Sequence, residues 1–434
     1  MQMATATDRL EISRLINRFG FGQKPGEYAA LVTGGVAAAR TKVLAVNPAD
    51  AGIAKVVEPQ FPDLGNFPPP NTPERVKFEQ DMRSARINLE LWWLDRMVLA
   101  DVALQERMTW FWHGHWATSL GKVEYATPMK IQNDTLRKYS VGNFKDMARV
   151  MIVDPALMFW LDSNGSVKGN ANENLGREFM ELFTLGVGNY TQDDVVAMAK
   201  ALTGWHVDRS GGATQFVANK HDASPLTLLG TIQSWDATSA SDYLVSKDAT
   251  VKFITDRLWF RFIATEKPKP SEIEASFKDR NILSAITAIA SHSAMKDPAL
   301  SQAKSPVEWF VATCRALKLT PSTMQNRAQI TNYLDKLGQV PFVPPNVGGW
   351  PFDGAWINLS TTQYRVGLAN YLVEQGDLSP IAGLKGVALQ DALADWLGIP
   401  ELSLRTKAVI RDQSNTTKQI VISALCSPEY VVSA

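Results

Sequence analysis

The stretch NANENLGREFMELFTLGVGNYTQDDVVAMAKALTGW, residues 170–205, decides the fold of this chain. It predicts a helix, a glycine-containing turn and a second helix. Apolar residues cover most of the girth of the first helix, as they do in a helix buried in a core. Gly186 and Gly188 suit a left-handed helix end and a tight reversal. Thr191 and Asp194 have the spacing of a capping box, with Asp in place of Glu, at the start of the second helix.

Charged residues of the first predicted helix lie three or four positions apart and therefore share one face. They are Glu173, Arg177, Glu178 and Glu181. One interpretation is an arginine-centred network that braces two core helices. The other is a pair of carboxylates in a cleft, Glu178 and Glu181, that act in acid–base catalysis. Glu178 has no residue of opposite charge four positions away, which makes it the stronger candidate for a general acid or base.

The rest of the chain predicts a mainly α-helical protein with a small β element. Residues 74–111 carry an apolar stripe with a period near 3.6. Turn glycines flanked by alternating residues predict a β-hairpin in the segment 206–230. The length of 434 residues is compatible with a single lobe or with two lobes. We expect one helical domain over residues 1–434, with candidate internal boundaries at a Pro-rich connection (48–73) and a linker (264–271).

Composition excludes several classes of protein. Forty-four basic residues balance forty-four acidic ones, which argues against nucleic-acid binding. No apolar run is long enough for a membrane span, and the first residues lack the features of an export signal. The two cysteines, Cys314 and Cys426, lie far apart and do not demand a disulfide. The sequence also lacks the nucleophile elbow and the helical HExxH and ExxH metal motifs. It has no phosphate-binding loop either, so nucleotide use is not expected.

The histidines offer a candidate metal site. His113 and His115 form an H-x-H motif between tryptophans. On an extended segment both imidazoles would face one ion, whereas on a continuous helix they would point about 200° apart. His221 and Asp222 follow the predicted hairpin and would add a nitrogen and an oxygen ligand. These four residues are our candidate ligands for a divalent metal ion. The alternatives are hydrogen-bonded core histidines and metal-free acid–base catalysis.

Carboxylates near exposed indoles would also suit hydrolysis of a sugar polymer. One acid protonates the leaving oxygen, and a second carboxylate activates water or attacks. Indole rings would stack on sugar faces, although the same rings serve equally to pack a large core. The candidate catalytic residues are Glu178, Glu181, His113, His115 and Asp194, of which Asp194 also fits a purely structural helix cap. The candidate substrate-binding residues are Trp112, Trp116, Arg177, Trp205 and Trp350.

Several stretches follow the motif order of a known family. They are WFWHGHWATS (110–119), NENLGREFMELFTLGVGNYTQDDV (172–195), ALTGW (201–205), HDASPLTLLG (221–230), KSPVEWF (304–310), PPNVGGWPFDGAW (344–356) and SPEY (427–430). Together they resemble the bacterial family catalogued as domain of unknown function 1800, over nearly the whole chain. The resemblance brings no established reaction. It implies an extracytoplasmic role, periplasmic or secreted if an export signal was removed, beside a sulfatase-like partner protein.

This sequence departs from the family pattern at three places. Gly114 stands between the histidines, where many members have Asn. Phe183 occupies a position that is His in many members. The residues 224–226, Ser-Pro-Leu, replace a common Gly-Pro-Lys. These differences weigh against a mechanism that needs that His or that Lys.

Two functions from different classes follow from these observations. The first is a hydrolase that acts on a glycan or another cell-envelope polymer. It requires His113, His115, Glu178 and His221 in one concave pocket. The second is a non-enzymatic helical scaffold that docks a partner protein. It predicts a broad apolar surface and histidines that are scattered or fully hydrogen-bonded.

Overall fold

Helices form most of the molecule in the computed structural model, which describes residues 4–208, 210–264, 269–412 and 414–433. The first ten α-helices are α1 Ala6–Arg18, α2 Glu27–Val43, α3 Pro73–Leu99, α4 Leu104–His115, α5 Leu120–Val123, α6 Ala126–Tyr139, α7 Phe144–Met151, α8 Pro155–Trp160, α9 Glu173–Glu178 and α10 Gln192–Ala201. The later ones are α11 Ala237–Ser246, α12 Asp248–Phe262, α13 Ser271–Ser276, α14 Ile282–Ser291, α15 Pro306–Ala316, α16 Ala328–Lys336, α17 Leu359–Val373, α18 Gly386–Leu397, α19 Leu404–Arg411, α20 Thr417–Leu425 and α21 Pro428–Val431. The predicted mainly α-helical class is confirmed.

Short strands pair as antiparallel two-stranded ribbons. They are β1 Trp205–Val207 with β2 Thr214–Phe216, β3 Pro225–Leu228 with β4 Thr231–Ser234, and β5 Gln302–Ala303 with β6 Val432–Ser433. The small β element predicted for 206–230 is therefore confirmed, as two successive ribbons rather than one hairpin. Short 3₁₀ turns lie at Ile53–Lys55, Ala218–Lys220, Ser293–Lys296, Pro321–Thr323, Asp353–Trp356 and Ser379–Ile381.

The stretch 170–205 folds as predicted, except that the hydrogen-bonding pattern of its first helix changes part-way along. After α9 the chain continues as a π-helix, Phe179–Thr184. Gly186 and Gly188 then adopt left-handed φ angles of 82° and 85°. The next helix, α10, begins with the predicted capping box. It packs closely on α9, because a Cβ added at Gly176 would lie 3.1 Å from the Ala199 nitrogen.

The hydrophobic core has two parts that meet at α4. The first core cluster comes mainly from α1, α2 and α6 to α14. The second core cluster comes mainly from α3 and α15 to α21. Helix α4 contributes to both, with Trp112 in the first cluster and Trp110 in the second. Residues on the two sides of α4 therefore lie in different surroundings.

Helix α1 is held by residues from much later in the chain. The Ser13 hydroxyl donates to the Gly398 carbonyl at 2.7 Å, across 385 positions of sequence. The buried Arg18 guanidinium donates to the carbonyls of Ile263 at 3.0 Å and Leu300 at 2.6 Å. Such bonds satisfy carbonyls that the ends of helices and loops leave free.

The two predicted internal boundaries remain predictions. The Pro-rich segment is irregular, as expected, and is attached to the helices beside it. The Asp50 carboxylate accepts the N–H of Val102 at 2.7 Å, and the Tyr125 hydroxyl donates to the Gly65 carbonyl at 2.9 Å. Residues 265–268 of the second boundary lie outside the described residues. None of the helices described combines the length and the apolar character that a membrane crossing requires.

Candidate functional site

The H-x-H motif lies within helix α4, which continues through His115. The two imidazoles therefore leave opposite sides of the helix. His113 contacts the rings of Trp93 and Phe342, whereas His115 contacts those of Trp112 and Phe144. The prediction that the pair grips one metal ion is wrong, because the helix does not break at the glycine between them.

The remaining predicted ligands do not complete a metal site. Among the described residues, no group of three or more His, Cys, Asp and Glu side chains is arranged to hold a metal ion. His221 Nδ1 lies 3.1 Å from the Thr203 carbonyl, to which it donates. The Asp222 carboxylate accepts from the Ser224 hydroxyl at 2.6 Å, and this bond lowers the pKa of Asp222. Both side chains thus shape the turn after β2 and do not join the imidazoles of α4.

His113 is a buried, neutral hydrogen-bond acceptor. Its Nε2 accepts the backbone N–H of Phe342 at 3.2 Å, so its proton is on Nδ1. Burial lowers the pKa of His113 to about 3. Phe342 has a left-handed φ of 65°, an uncommon conformation for a bulky residue. His113 therefore stabilises the start of the loop between α16 and α17, which matches the structural interpretation of this residue.

His115 has the opposite hydrogen-bonding arrangement. Its Nε2 lies 3.0 Å from the Phe183 carbonyl of the π-helix. A carbonyl only accepts, so Nε2 carries the proton and Nδ1 is an acceptor. That buried Nδ1 has no hydrogen-bond partner among the described residues. Burial, and next the charge of Arg257, hold the pKa of His115 well below its ordinary value. His115 is thus neutral, with one free acceptor.

An aromatic pocket of about 310 Å³ lies between α4, α12 and the loop that follows α16. We call it the aromatic pocket. The aromatic rings that line it include Trp110, Phe253, Phe260, Trp350, Phe352 and Trp356. Polar groups converge on the same space: His115, Asp256, Arg257 and Arg261. Apolar walls with a few converging polar groups are typical of small-molecule sites.

The charged residues of the aromatic pocket differ in whether they have an ion-pair partner. Asp256 pairs with Lys252 and Lys269. Arg261 pairs with Glu308, which it shares with Arg107. Arg257 has no ion-pair partner in the part of the chain that the structure describes, and its guanidinium lies 5.6 Å from the Phe253 ring centre.

Burial lowers the pKa of Arg257 to about 10, so the group is still protonated at neutral pH. The pocket therefore contains a positive charge that no described residue pairs with, against an aromatic wall.

The predicted carboxylate pair lies outside the aromatic pocket. Glu178 ends α9, and Glu181 follows in the π-helix, where it accepts a short hydrogen bond from the Tyr190 hydroxyl. Burial, and then the neighbouring Glu181, raise the pKa of Glu178, while Arg177 acts to lower it. Of the four residues that the hydrolase hypothesis requires in one cavity, only His115 lines this pocket.

Two other predicted site residues belong to structural networks. Arg177 donates to Glu173 at 3.2 Å and to Gln192 at 3.0 Å, which links α9 to α10. Asp194 is buried, and both of its oxygens accept backbone amides: Thr191 N–H at 2.8 Å and Leu229 N–H at 2.6 Å. Asp194 therefore caps α10 and attaches the β3–β4 ribbon, as the structural interpretation of this residue expects.

The predicted tryptophans divide between core and pocket. Trp112 and Trp116 are both 0% exposed, and their indole N–H groups bond to the Ser140 carbonyl and the Met147 sulfur. Their assignment to a substrate wall is wrong, because the core encloses both faces. Trp205 is half-buried on β1, against Phe216. Trp350 lines the aromatic pocket, and its buried Nε1 has no partner among the described residues.

The contribution of α12 to the pocket was not predicted from the sequence. One stripe of the helix, with the spacing i, i+3, i+4, i+7 and i+8, consists of Phe253, Asp256, Arg257, Phe260 and Arg261. Three charged residues beside two phenylalanines on one face were the signal, since charged side chains are almost never fully buried in a core unless they are paired.

Comparison with known proteins identifies the family. Residues 14–432 match the family model described as "Protein of unknown function (DUF1800)". The chain belongs to this family. No curated protein and no solved structure matches the chain. Membership of DUF1800 therefore confirms the resemblance and leaves the function open.

The positions where this DUF1800 member departs from the common pattern lie around the aromatic pocket and the β ribbons. Gly114 lines the pocket, and a Cβ added there would meet nothing nearer than a Trp350 ring carbon at 4.0 Å. Phe183 supplies the carbonyl that holds His115. Ser224 bonds to Asp222. The first of these differences leaves space in the pocket that a longer side chain would fill.

Proposed function

We propose that this protein binds a sugar unit of a glycan or another cell-envelope polymer in the aromatic pocket. The observation that carries the proposal is the combination of aromatic walls with unsatisfied polar groups around one cavity. His115 and Trp350 line the cavity, and their buried Nδ1 acceptor and Nε1–H donor have no partner among the described residues. A sugar ring presents apolar C–H faces to aromatic rings, and its hydroxyl groups both donate and accept.

The size of the pocket supports a small unit rather than a long stretch of polymer. Its volume of about 310 Å³ is near the lower end of ligand pockets, which span roughly 300–1,000 Å³. The aromatic walls and the few polar groups agree with recognition by shape and a small number of hydrogen bonds. The pocket would thus take a terminal or single internal unit.

The experiment fills the pocket without disturbing the fold. Gly114→Leu adds a side chain where the nearest atom to its Cβ would be 4.0 Å away. The matched control is Gly121→Leu, on the exposed side of α5, where the nearest atom is 3.5 Å away. Calorimetric titration with methyl glycosides and envelope oligosaccharides should give binding that Gly114→Leu weakens at least about tenfold. Equal binding in both variants, or no binding to any sugar, would contradict the proposal.

Hydrolysis of a glycan or another cell-envelope polymer at the Glu178–Glu181 pair, outside the aromatic pocket, is the second candidate function. The observation in its favour is the Glu178–Glu181 pair, in which burial and the neighbouring carboxylate raise the pKa of Glu178. A carboxyl group whose pKa is raised by burial and by a neighbouring carboxyl group is suited to proton donation.

The test of hydrolysis compares two glutamates of the same helix. Release of reducing ends should fall about 100-fold in Glu178→Gln. It should persist in Glu173→Gln, which alters the ion pair with Arg177 and the hydrogen bond from Gln192. No release by the unmodified protein, or equal rates in both variants, would refute the hydrolase. The sulfatase-like partner and the scaffold function stay predictions, with no comparable observation in their favour.

A further inference from the structure

We infer that the aromatic pocket selects an acidic sugar, with the carboxylate of the ligand at Arg257 and one of its hydroxyls at His115 Nδ1. This inference rests on the proposed function, because it names the class of sugar that the same pocket takes. It follows from three properties of the residues that line the cavity: an uncompensated charge, an acceptor without a donor, and an indole donor without an acceptor.

Arg257 supplies the charge that an acidic ligand would meet in the pocket. Asp256 and Arg261 both have partners of opposite charge, whereas Arg257 has none among the described residues. A half-buried guanidinium without a counterion is costly, and a ligand carboxylate would offset that cost. The planar guanidinium matches the planar carboxylate, which it can bind through two parallel hydrogen bonds. The pocket is therefore prepared for an anion at Arg257.

His115 restricts where that anion can lie. Its Nε2–H is committed to the Phe183 carbonyl, so Nδ1 presents only a lone pair. A carboxylate oxygen also presents lone pairs and cannot bond to it. A hydroxyl group can, because it donates. Arg257 and His115 are close enough that the charge of Arg257 lowers the pKa of His115. The two residues thus favour a ligand that carries an ionised group at one end and a hydroxyl group at the other.

The tryptophan donor completes the match. The buried Trp350 Nε1–H has no acceptor among the described residues, and it lines the same cavity. A ring oxygen or a second hydroxyl of a sugar would accept from it. A simple aromatic acid would satisfy Arg257 and the apolar walls but would leave His115 Nδ1 and Trp350 Nε1 without partners. A sugar acid satisfies all three groups, which is why we favour it.

The test uses ligands that differ by one group. Methyl β-glucuronide and methyl β-glucoside have the same ring and hydroxyls, except that a carboxylate replaces a hydroxymethyl group. Titration of the unmodified protein should show at least about tenfold tighter binding of the glucuronide. Arg257→Gln should abolish that preference, so that the variant binds the two glycosides with equal affinity. Arg405→Gln, which removes an exposed charge elsewhere, is the matched control and should behave like the unmodified protein.

Each other outcome has a distinct meaning. Equal binding of the two glycosides, in a manner that Gly114→Leu abolishes, would overturn the acidic preference and leave the proposed function standing. Benzoate binding without binding of either glycoside would overturn both and assign the pocket to aromatic acids. A glucuronide preference that survives in Arg257→Gln would refute the role of Arg257, whatever the pocket binds.

Discussion

The two sides of α4 present a direct comparison, because each has one histidine of the same motif. His113 packs against Trp93 and Phe342 of the second core cluster, and its Nε2 accepts the Phe342 amide. His115 packs against Trp112 and Phe144 of the first core cluster, and its Nε2–H donates to the Phe183 carbonyl, which leaves a buried Nδ1 acceptor without a partner among the described residues. Both are buried and neutral. The difference teaches that two histidines of one motif can use the same ring nitrogen in opposite senses: His113 accepts a backbone amide and supports the fold, whereas His115 keeps a buried acceptor that points to a ligand.

The largest effect should come from removing the histidine that accepts the Phe342 amide. His113→Leu replaces the imidazole by an apolar side chain of similar size and leaves the buried Phe342 N–H without its acceptor. We expect the free energy of unfolding to fall by about 3 kcal/mol, from the unpaired amide and the strained backbone that it holds. Urea denaturation measures this quantity. A loss below about 1 kcal/mol would show that His113 does not stabilise the loop.

The next largest effect is the pH dependence that His113 gives to the free energy of unfolding. In the folded protein the pKa of His113 is about 3, against 6.5 for the free side chain. Between about pH 3 and pH 6.5, His113 is therefore protonated in the unfolded chain and neutral in the folded protein. Stability from this group is complete above about pH 6.5 and declines by about 1.4 kcal/mol per unit as the pH falls towards 3.

The His113→Leu variant isolates this term from the other titrating groups. Its free energy of unfolding, measured between pH 7 and pH 4.5, should decline less steeply than that of the unmodified protein, by the share of one proton. Parallel curves for the two proteins would mean that His113 is protonated in the fold, contrary to its buried acceptor role.

His115→Leu should affect stability less and ligand binding more. It removes one bond to a carbonyl but also removes a buried nitrogen that has no partner, so we expect a loss of about 1 kcal/mol. Binding of methyl β-glucuronide should weaken by about tenfold or more, since the hydroxyl acceptor is gone. The comparison between the two sides would fail if the two Leu variants had equal stability and equal affinity.

The smallest effect concerns the residue between the histidines. Gly114→Ala should raise stability by about 0.5–1 kcal/mol, because glycine costs that much inside a helix and the added Cβ meets only open space. Thermal unfolding at neutral pH gives the value. The contrasting variant is Gly349→Ala, whose Cβ would lie 2.3 Å from the Gly114 carbonyl and must destabilise. Unchanged stability of Gly349→Ala would mean that the backbone around this contact moves apart at little cost in free energy.

The helices, the capping box at Thr191 and the small β element were predictable because they depend on local patterns. The course of α4 was not. A glycine lowers helix propensity by about 1 kcal/mol, and only packing on both sides decides whether the helix continues. The same holds for Trp112 and Trp116, since composition does not distinguish an indole in a core from one in a pocket. The π-helix at Phe179–Thr184 and the lack of a counterion for Arg257 among the described residues depend on distant parts of the chain and could not be predicted from the sequence either.

The bonds that hold α1 have a consequence for how the chain acquires its structure. Residues 13 and 398 are joined by a hydrogen bond, so the partner of the first helix is synthesised almost four hundred residues later. Contacts of such sequence separation slow folding, because the entropy of closing the intervening loop is lost before the contact forms. During translation α1 can pack on α2 as soon as both have emerged, because the two helices are neighbours in the fold. Its bonds to the carbonyls of Ile263, Leu300 and Gly398, in contrast, form only late in synthesis, so the two helices are fixed to the rest of the molecule near the end of translation.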